Sequence, residues 1–379
     1  MAGIYLHIPL CRQACYYCDF HFSTYFKLRS QLITALKTEI RLQKSYLENV
    51  CLDTIYFGGG TPSVLKVKEI EQLLDIIFTS FKISAKPEIT IEANPDDLSK
   101  QKTSDLKNSG FNRLSIGIQS FDDKILRLLH RVHDTKDSLS AINNAEAAGF
   151  DNINLDLIFA ITENYGPILQ RDIAHILQIQ PQHISAYSLT IEPKTVFGNW
   201  YKKGKFKEVS SDEAATEFEY IIDTLSGNGY EHYEVSNFSK PGYMSIHNSN
   251  YWKQVPYLGI GPSAHSFDGT TRQSNINNNS KYIKSLEKDI IPAEVEYLSV
   301  ADRINEQILT GLRTKWGVDL YSIKKKYNVD ILMYNKSYIQ DLINLDLATF
   351  YNGKLQLRKK GMLIADKICS DLFFIDKND

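Results

Sequence analysis

Five cysteines in 379 residues are too few and too unevenly placed for a disulfide framework: three fall between positions 11 and 18, and Cys51 and Cys369 stand alone. A reducing cytoplasm fits that usage. Charge of one sign is also missing. Lys and Arg total 43 against 45 Asp and Glu, so no overall basic field exists to hold nucleic acid or an anionic membrane surface. Nucleic acid is therefore not an expected partner. No stretch approaches the ~18 uninterrupted apolar residues of a spanning helix, and no transmembrane segment is expected. The N-terminus has neither a charged start with an apolar run nor a small-residue cleavage site, so no export signal is expected. Repeats of the solenoid kind are absent as well. What remains is ordinary globular composition, 43% hydrophobic and 23% charged, enough for one large α/β domain and a small one.

Short apolar runs of strand character recur at Ile4–Ile8, Thr54–Phe57, Glu88–Glu92, Arg113–Ile118, Asn152–Ile158 and His183–Leu189. Between them lie segments with helical spacing, at Leu28–Tyr46, Val67–Phe81, Ser99–Ser109, Lys136–Ala148 and Ile168–Ile179. Such alternation predicts a parallel sheet with right-handed crossovers, either an open doubly wound sheet or a barrel. A further helix is expected over Ser211–Leu225. From Tyr230 to Asn279, Gly, Pro, Asn and aromatic residues follow without sustained periodicity, which reads as functional loop and linker. The remainder reads as a helical tail, with Ile304, Ile308, Leu309 and Leu312 on one face and a later helix near Tyr338–Ile343. Lys324–Lys326 reads as a solvated helix face. The expected domains are 1–235, a connecting region 236–290, and 291–379.

Cys11, Cys15 and Cys18 form a C-x3-C-x2-C loop directly after the first strand and Pro9. Thiolate is a soft ligand that favours zinc, copper(I) or iron–sulfur clusters, and three thiolates this close reach three corners of one [4Fe–4S] cubane. The fourth iron then lacks a protein ligand. The amino and carboxylate groups of a methionine moiety chelate such an iron, which places the sulfonium of S-adenosylmethionine beside a one-electron donor. A structural zinc site normally has four ligands, and no second C-x2-C pair exists here. His7 and His21 leave a zinc-stabilised interaction protein open as an alternative, and buried structural cysteines are another. Cys51 and Cys369 read as small buried hydrophobes.

Several longer motifs accompany the triad. They are Y-L-H-I-P-L-C-R-Q-A-C-Y-Y-C-D-F from Tyr5, G-G-G-T-P-S at Gly58–Ser63, E-A-N-P at Glu92–Pro95, G-I-Q-S-F at Gly117–Phe121, H-R-V-H at His130–His133 and H-I-S-A-Y-S-L-T-I-E-P at His183–Pro193. H-Y-E-V-S-N-F at His232–Phe238, H-N-S-N-Y-W at His247–Trp252 and Y-L-G-I-G-P-S-A-H-S at Tyr257–Ser266 follow. Over nearly its whole length the chain resembles radical S-adenosylmethionine proteins of the coproporphyrinogen oxidase-like branch. The resemblance implies an α/β fold, an incomplete (β/α)6 barrel with a small C-terminal helical, winged-helix-like domain. It implies that Gly59, Gly60 and Thr61 border the methionine part of the cofactor, that Glu92, Gln119, Arg131 and Asp156 contact it, and that Tyr5 lies on its adenine side. Independently, glycines ending a strand let backbone approach a ligand, although a tight turn also explains them. Polar groups at strand ends stand where barrel active sites assemble.

His247, Asn248, Tyr251 and Trp252 lie in the non-periodic region. Imidazole ligates heme iron, and Tyr and Trp stack on porphyrins; a loop packed by aromatics is the plainer reading, and the resemblance associates the motif with heme binding. Two departures from the family pattern stand out. Where relatives continue the fifth strand with a G-(I/L)-P-G-Q-T turn, this chain has Ala160-Ile161-Thr162-Glu163-Asn164, so the cofactor wall beside Asp156 is expected to differ. Where oxidase relatives carry a further cysteine two residues after the last ligand, Phe20 stands, with no thiol chemistry and the bland role of packing. The leading expectation is a heme chaperone that passes heme or porphyrin to an acceptor protein and draws electrons from a flavodoxin or ferredoxin. The alternative is an oxygen-independent coproporphyrinogen III dehydrogenase.

Overall fold

Ile4, Leu6 and Ile8 alternate along β1 (Ala2–Ile8) with Gly3, Tyr5 and His7, and both sets are enclosed, as a strand inside a parallel sheet requires. In the computed structural model, which describes residues 1–47 and 50–375, β1 is followed by α1 (Arg29–Leu42), β2 (Leu52–Gly59), α2 (Val67–Ser80), β3 (Ile83–Ala93) and α3 (Lys100–Asn108). Next come β4 (Arg113–Gln119), α4 (Asp123–Leu128), α5 (Thr135–Ala147), β5 (Ile153–Phe159), α6 (Gly166–Ile179) and β6 (His183–Ser188). These six strands pair in parallel in chain order. The helices bury one apolar face each, Leu32, Ile33, Leu36 and Ile40 on α1 and Ile70, Leu73, Leu74 and Ile77 on α2, against the outer residues of the strands. Polar side chains cap several of them. Ser99 accepts from the Lys102 amide, and Asp134 and Asp137 form a reciprocal box at the start of α5.

The segment expected to be loop and linker is structured instead. After α7 (Val196–Lys202) and α8 (Ser211–Gly227) come the hairpin β7 (Glu231–Glu234) and β8 (Asn237–Ser239), then α9 (Ile246–Trp252), β9 (Tyr257–Ile260), β10 (His265–Phe267), β11 (Thr271–Asn275), α10 (Asn279–Leu286) and β12 (Ala293–Tyr297). β9 adds a seventh parallel strand on the free side of β1, pairing Gly3–Leu6 with Tyr257–Ile260. The resulting twelve-stranded sheet runs β12-β11-β10-β9-β1-β2-β3-β4-β5-β6-β8-β7. β6 pairs with β8 and not with β1, so the barrel is incomplete, as expected. Strands of three to five residues are too short to show a period, which is why composition alone suggested a loop.

A second hydrophobic cluster, with Ile304, Ile308, Leu312, Ile323, Ile339, Leu342 and Ile368 at its centre, belongs to the C-terminal unit. It contains α11 (Val300–Leu312), β13 (Val318–Asp319), α12 (Leu320–Tyr327), α13 (Ile331–Tyr334), α14 (Lys336–Asn344), β14 (Ala348–Tyr351), β15 (Lys354–Leu357), α15 (Lys359–Met362) and α16 (Ala365–Leu372). The helical tail read from periodicity therefore also carries a three-stranded antiparallel sheet, β13-β15-β14, the wing that the resemblance implied. Asn352 and Gly353, both with positive φ, make the two-residue turn between β14 and β15. Residues 376–379 of the expected last domain, and 48–49 of the first, lie outside the described residues. No helix among the described residues is long and apolar enough to cross a membrane.

Candidate functional site

The inner face of the sheet carries polar side chains at every second position: Thr54 and Tyr56 on β2, Glu88, Thr90 and Glu92 on β3, Arg113, Ser115 and Gln119 on β4, Asn154 and Asp156 on β5, His183, Ser185 and Tyr187 on β6. The outer residues between them are apolar and face the helices. Curvature of the sheet turns this polar face into a cavity of about 500 Å³ at the C-terminal ends of the strands, where barrel sites assemble. Cys11, Cys15 and Cys18 line it together with Gly59, Gly60, Thr61, Glu92, Gln119, Arg131 and Asp156. All but one of the expected cluster and cofactor residues are thus brought to one place. The exception is Tyr5, whose ring lies 6.0 Å from that of Tyr56 and whose hydroxyl is 3.2 Å from His7 Nδ1; Tyr56 lines the cavity where Tyr5 was expected.

The cysteine loop is held at both ends. Its base is closed by Cys11 N to Ser23 O (3.1 Å) and Ser23 N to Pro9 O (2.9 Å). Its far side rests on the segment after α4, through Gln13 Nε2 to His130 O (2.8 Å), Tyr16 N to Leu129 O (3.2 Å) and the stacked rings of Tyr16 and His130, 4.2 Å apart. Arg12 donates to Asp97 at 2.7 Å. The thiols are free. Thr61 Oγ1 donates to Cys11 Sγ and Arg131 Nη1 to Cys15 Sγ, each at 3.4 Å, and donors at sulfur stabilise thiolates and cluster sulfurs. Burial pushes the thiols of Cys11 and Cys18 up to about 11 and about 12; a bound cation reverses this, since ligation deprotonates a thiol. Among the described residues no three His, Cys, Asp or Glu side chains converge as ligands of a single ion do. The three thiols line the same cavity, and three soft donors without a second C-x2-C pair fit a cluster with one open corner better than a closed zinc site.

Gly59 ends β2 and Gly60 follows it because no other residue fits. Gly59 has φ of +108°, and a Cβ on Gly60 would meet the backbone of Ile8 and Leu10 at 2.9 Å. The Gly59 amide donates to Glu92 Oε2 (3.1 Å) and the Tyr56 hydroxyl to Oε1 (2.8 Å). Burial nevertheless raises Glu92 to about 7, helped by the charge of Asp156, and burial raises Asp156 to about 6. Arg131 Nη2 spans Asn94 Oδ1 (2.7 Å) and the Gly117 carbonyl (2.8 Å). Gln119 takes the left-handed region at φ +69°, a strained placement for a side chain aimed into a site. Asn94, Arg113, Ser115, Asn154, Ser185 and Tyr187 also line the cavity and were not singled out from the sequence. Their signal was the polar residue at every second position of each strand, hidden inside runs that read as apolar. Arg113 is 1% exposed and its Nε has no partner among the described residues.

The heme motif is placed differently from expectation. His247, on α9, is 2% exposed at the floor of the barrel. Its Nδ1 is 2.7 Å from Thr54 Oγ1, its Nε2 is 2.9 Å from the Tyr251 hydroxyl, and its ring stacks on Tyr56 at 4.8 Å. Burial and the nearby Arg113 lower its pKa to about 3. Both ring nitrogens are engaged, so in this structure the ring is a packed and hydrogen-bonded plug and is not presented to the cavity. Of the four residues, Asn248 alone lines the cavity. Phe20 is likewise not buried packing; it is 69% exposed at the cavity mouth. The divergent turn after β5 is accommodated by α8. Ala160 (φ +55°) and Asn164 (φ +60°) sit in the left-handed region, and their amides donate to Glu217 Oε2 and Glu213 Oε1, each at 2.8 Å.

The family model of the radical SAM superfamily matches residues 5–170, and that of the HemN C-terminal domain matches residues 298–364. Coproporphyrinogen III oxidase (HemN) from Escherichia coli, a radical SAM enzyme, shares the fold with a TM-score of 0.84 at 22% identity, over 98% of this chain and 90% of that one. Proteins named heme chaperone HemW are similar along their whole length. That of Lactococcus lactis subsp. lactis (strain IL1403) is 35% identical over 99% of this chain and 98% of its own, and that of Bacillus subtilis (strain 168) is 34% identical over 97% and 98%. With the radical SAM match ending in β5–α6 and the similarity running through both hydrophobic cores, the chain belongs to the HemW family within the radical SAM superfamily.

Proposed function

We propose that this protein is a heme chaperone, which binds heme or a related porphyrin and passes it to an acceptor protein, with a [4Fe–4S] cluster and S-adenosylmethionine as partners in its barrel cavity. The observation that carries the reading is the full-length likeness to relatives bearing that name. Cys11, Cys15 and Cys18 hold the cluster, which when bound supplies a single electron beside the sulfonium. Gly59 and Gly60 leave backbone within reach of the methionine amino group, and Thr61 and Arg131 keep their donors on the sulfurs of Cys11 and Cys15. Glu92, Gln119 and Asp156 would hold the cofactor with polar groups from β3, β4 and β5. Tyr5 acts from behind this wall, through Tyr56. Asn248 meets the bound ligand from the floor, and Phe20 offers an apolar face at the mouth. Such a protein works in a reducing cytoplasm and takes electrons from a flavodoxin- or ferredoxin-like donor.

Anaerobic titration of reconstituted protein with heme tests the reading: a saturable Soret band is expected. The same preparation, reduced and supplied with S-adenosylmethionine, is expected to leave coproporphyrinogen III unchanged. Multiple turnovers to protoporphyrinogen with no saturable heme binding would replace the chaperone by an oxidase.

A further inference from the structure

From Asp156 the hydrogen bonds run through the cavity-lining Asn154, Ser115 and Ser185 to His183 and Tyr233 behind them, a chain in which each partner dictates the next. Asn154 Nδ2 lies 2.7 Å from Asp156 Oδ1 and 2.8 Å from Ser115 Oγ. Turning the amide over would set its oxygen against the carboxylate, so the nitrogen faces Asp156 and the oxygen faces away. That oxygen accepts from Ser185 Oγ at 3.1 Å and lies 2.6 Å from His183 Nδ1. An amide oxygen offers only lone pairs, so Nδ1 carries the hydrogen. Burial, with Arg113 nearby, drives the imidazole pKa well below its usual value, so the ring is neutral and Nε2 is bare. Nε2 therefore accepts from the Tyr233 hydroxyl, 2.7 Å away. His183 and Tyr233 are both fully buried, and neither lines the cavity.

We infer that His183 is a positioning residue for Asp156: with Nδ1–H donating to the Asn154 oxygen and Nε2 accepting from Tyr233, it holds the Asn154 amide in one orientation, and Asn154 orients the carboxylate that faces the cofactor. The inference rests on the assignment of Asp156 to S-adenosylmethionine. Nothing about the strand requires an imidazole here, since β6 begins at His183 and its backbone pairs with Asn154 and Ser239 regardless of side chain. An apolar residue would fill the space. What only a neutral, tautomer-fixed imidazole supplies is a donor toward Asn154 and an acceptor toward Tyr233, which leave the amide one orientation.

The test compares two amides. The side-chain nitrogen of His183→Asn stands at the same remove from Cα as Nδ1 and still donates to Asn154; that of His183→Gln stands where Nε2 was and does not. Affinity for S-adenosylmethionine is read from the spectral change of the reduced cluster in anaerobically reconstituted protein. His183→Gln is expected to weaken binding roughly tenfold, with His183→Asn restoring most of it. Wild-type affinity in His183→Gln, or equal losses in the two variants, overturns the proposal. Should His183→Gln not fold, the tautomer decides: ¹⁵N resonances of the wild-type protein are to show His183 protonated at Nδ1, and protonation at Nε2 overturns the chain as drawn. Asp156→Asn is the control. If it binds S-adenosylmethionine like wild type, the cofactor assignment of Asp156 fails and the proposal goes with it; if it binds weakly while His183→Gln is unaffected, only the proposal fails.

Discussion

The amide of Gly59 donates to Oε2 of Glu92 at 3.1 Å, tying the turn after β2 to the end of β3 through a carboxylate whose pKa burial raises to about 7. In the unfolded chain that group titrates near ~4.3. The folded state therefore binds the proton more tightly, and the stability Glu92 contributes is complete below ~4 and lost as pH rises through about 7. Glu92→Gln removes this loss. In cofactor-free protein the variant is expected to be more stable than wild type at pH ~8, by on the order of 3 kcal/mol, and nearly equal to it at pH ~4. Urea unfolding at the two pH values measures this, and a pH-independent difference would contradict the buried-carboxylate account.

Replacing Cys11, Cys15 or Cys18 by Ala is expected to remove iron, labile sulfide and the electron paramagnetic resonance signal of the reduced cluster. Cys51→Ala and Cys369→Ala should retain all three, because Cys369 is fully buried in the second hydrophobic core and Cys51, just before β2, does not line the cavity. A full complement of iron and sulfide in the triple Cys11, Cys15, Cys18 variant would show that the cluster is held elsewhere.

Ala160 occupies the left-handed region at φ +55°, where a Cβ costs roughly 1–2 kcal/mol relative to glycine. Its amide is committed to Glu217, so the conformation does not relax. Ala160→Gly is expected to stabilise the protein by about 1 kcal/mol, reduced somewhat by the greater freedom of glycine in the unfolded chain. Thermal unfolding checks it, and a lowered midpoint would refute the strain.

His247→Gln loses a stacked ring and two buried hydrogen bonds. A stability loss of about 2–3 kcal/mol is expected, with the Soret spectrum of added heme unchanged in the folded protein. If the band instead shifts or vanishes while the unfolding midpoint stays put, the imidazole is a heme ligand and the plug must open on binding.

The six parallel strands were legible because each carries apolar residues on its helix-facing side, as Leu114, Ile116 and Ile118 do on β4. The crossover helices were legible from their apolar stripes. The other half of each strand was in plain view and went unread: R-L-S-I-G-I-Q and N-L-D-L-I alternate polar with apolar, and the polar half is the cavity wall. β9 was not legible, since four residues hold no period and nothing local reports pairing with Gly3–Leu6. Tyr351-Asn352-Gly353-Lys354 was a readable hairpin turn, obscured by the helical spacing on either side. The place of His247 was not legible because aromatic neighbours mark equally well a ligand's bed and a barrel's floor; its 2% exposure is a tertiary property.

Placing β1 between β2 and β9 orders events in time. A chain is released from the ribosome N-terminus first, so the cysteine loop that follows β1 emerges well before β9 does. One edge of that strand stays bare until Tyr257–Ile260 has been made, and a bare edge invites pairing with other chains. Biogenesis of the metallated protein is therefore expected to run sheet first and cluster second, with iron and sulfide delivered to a finished polypeptide.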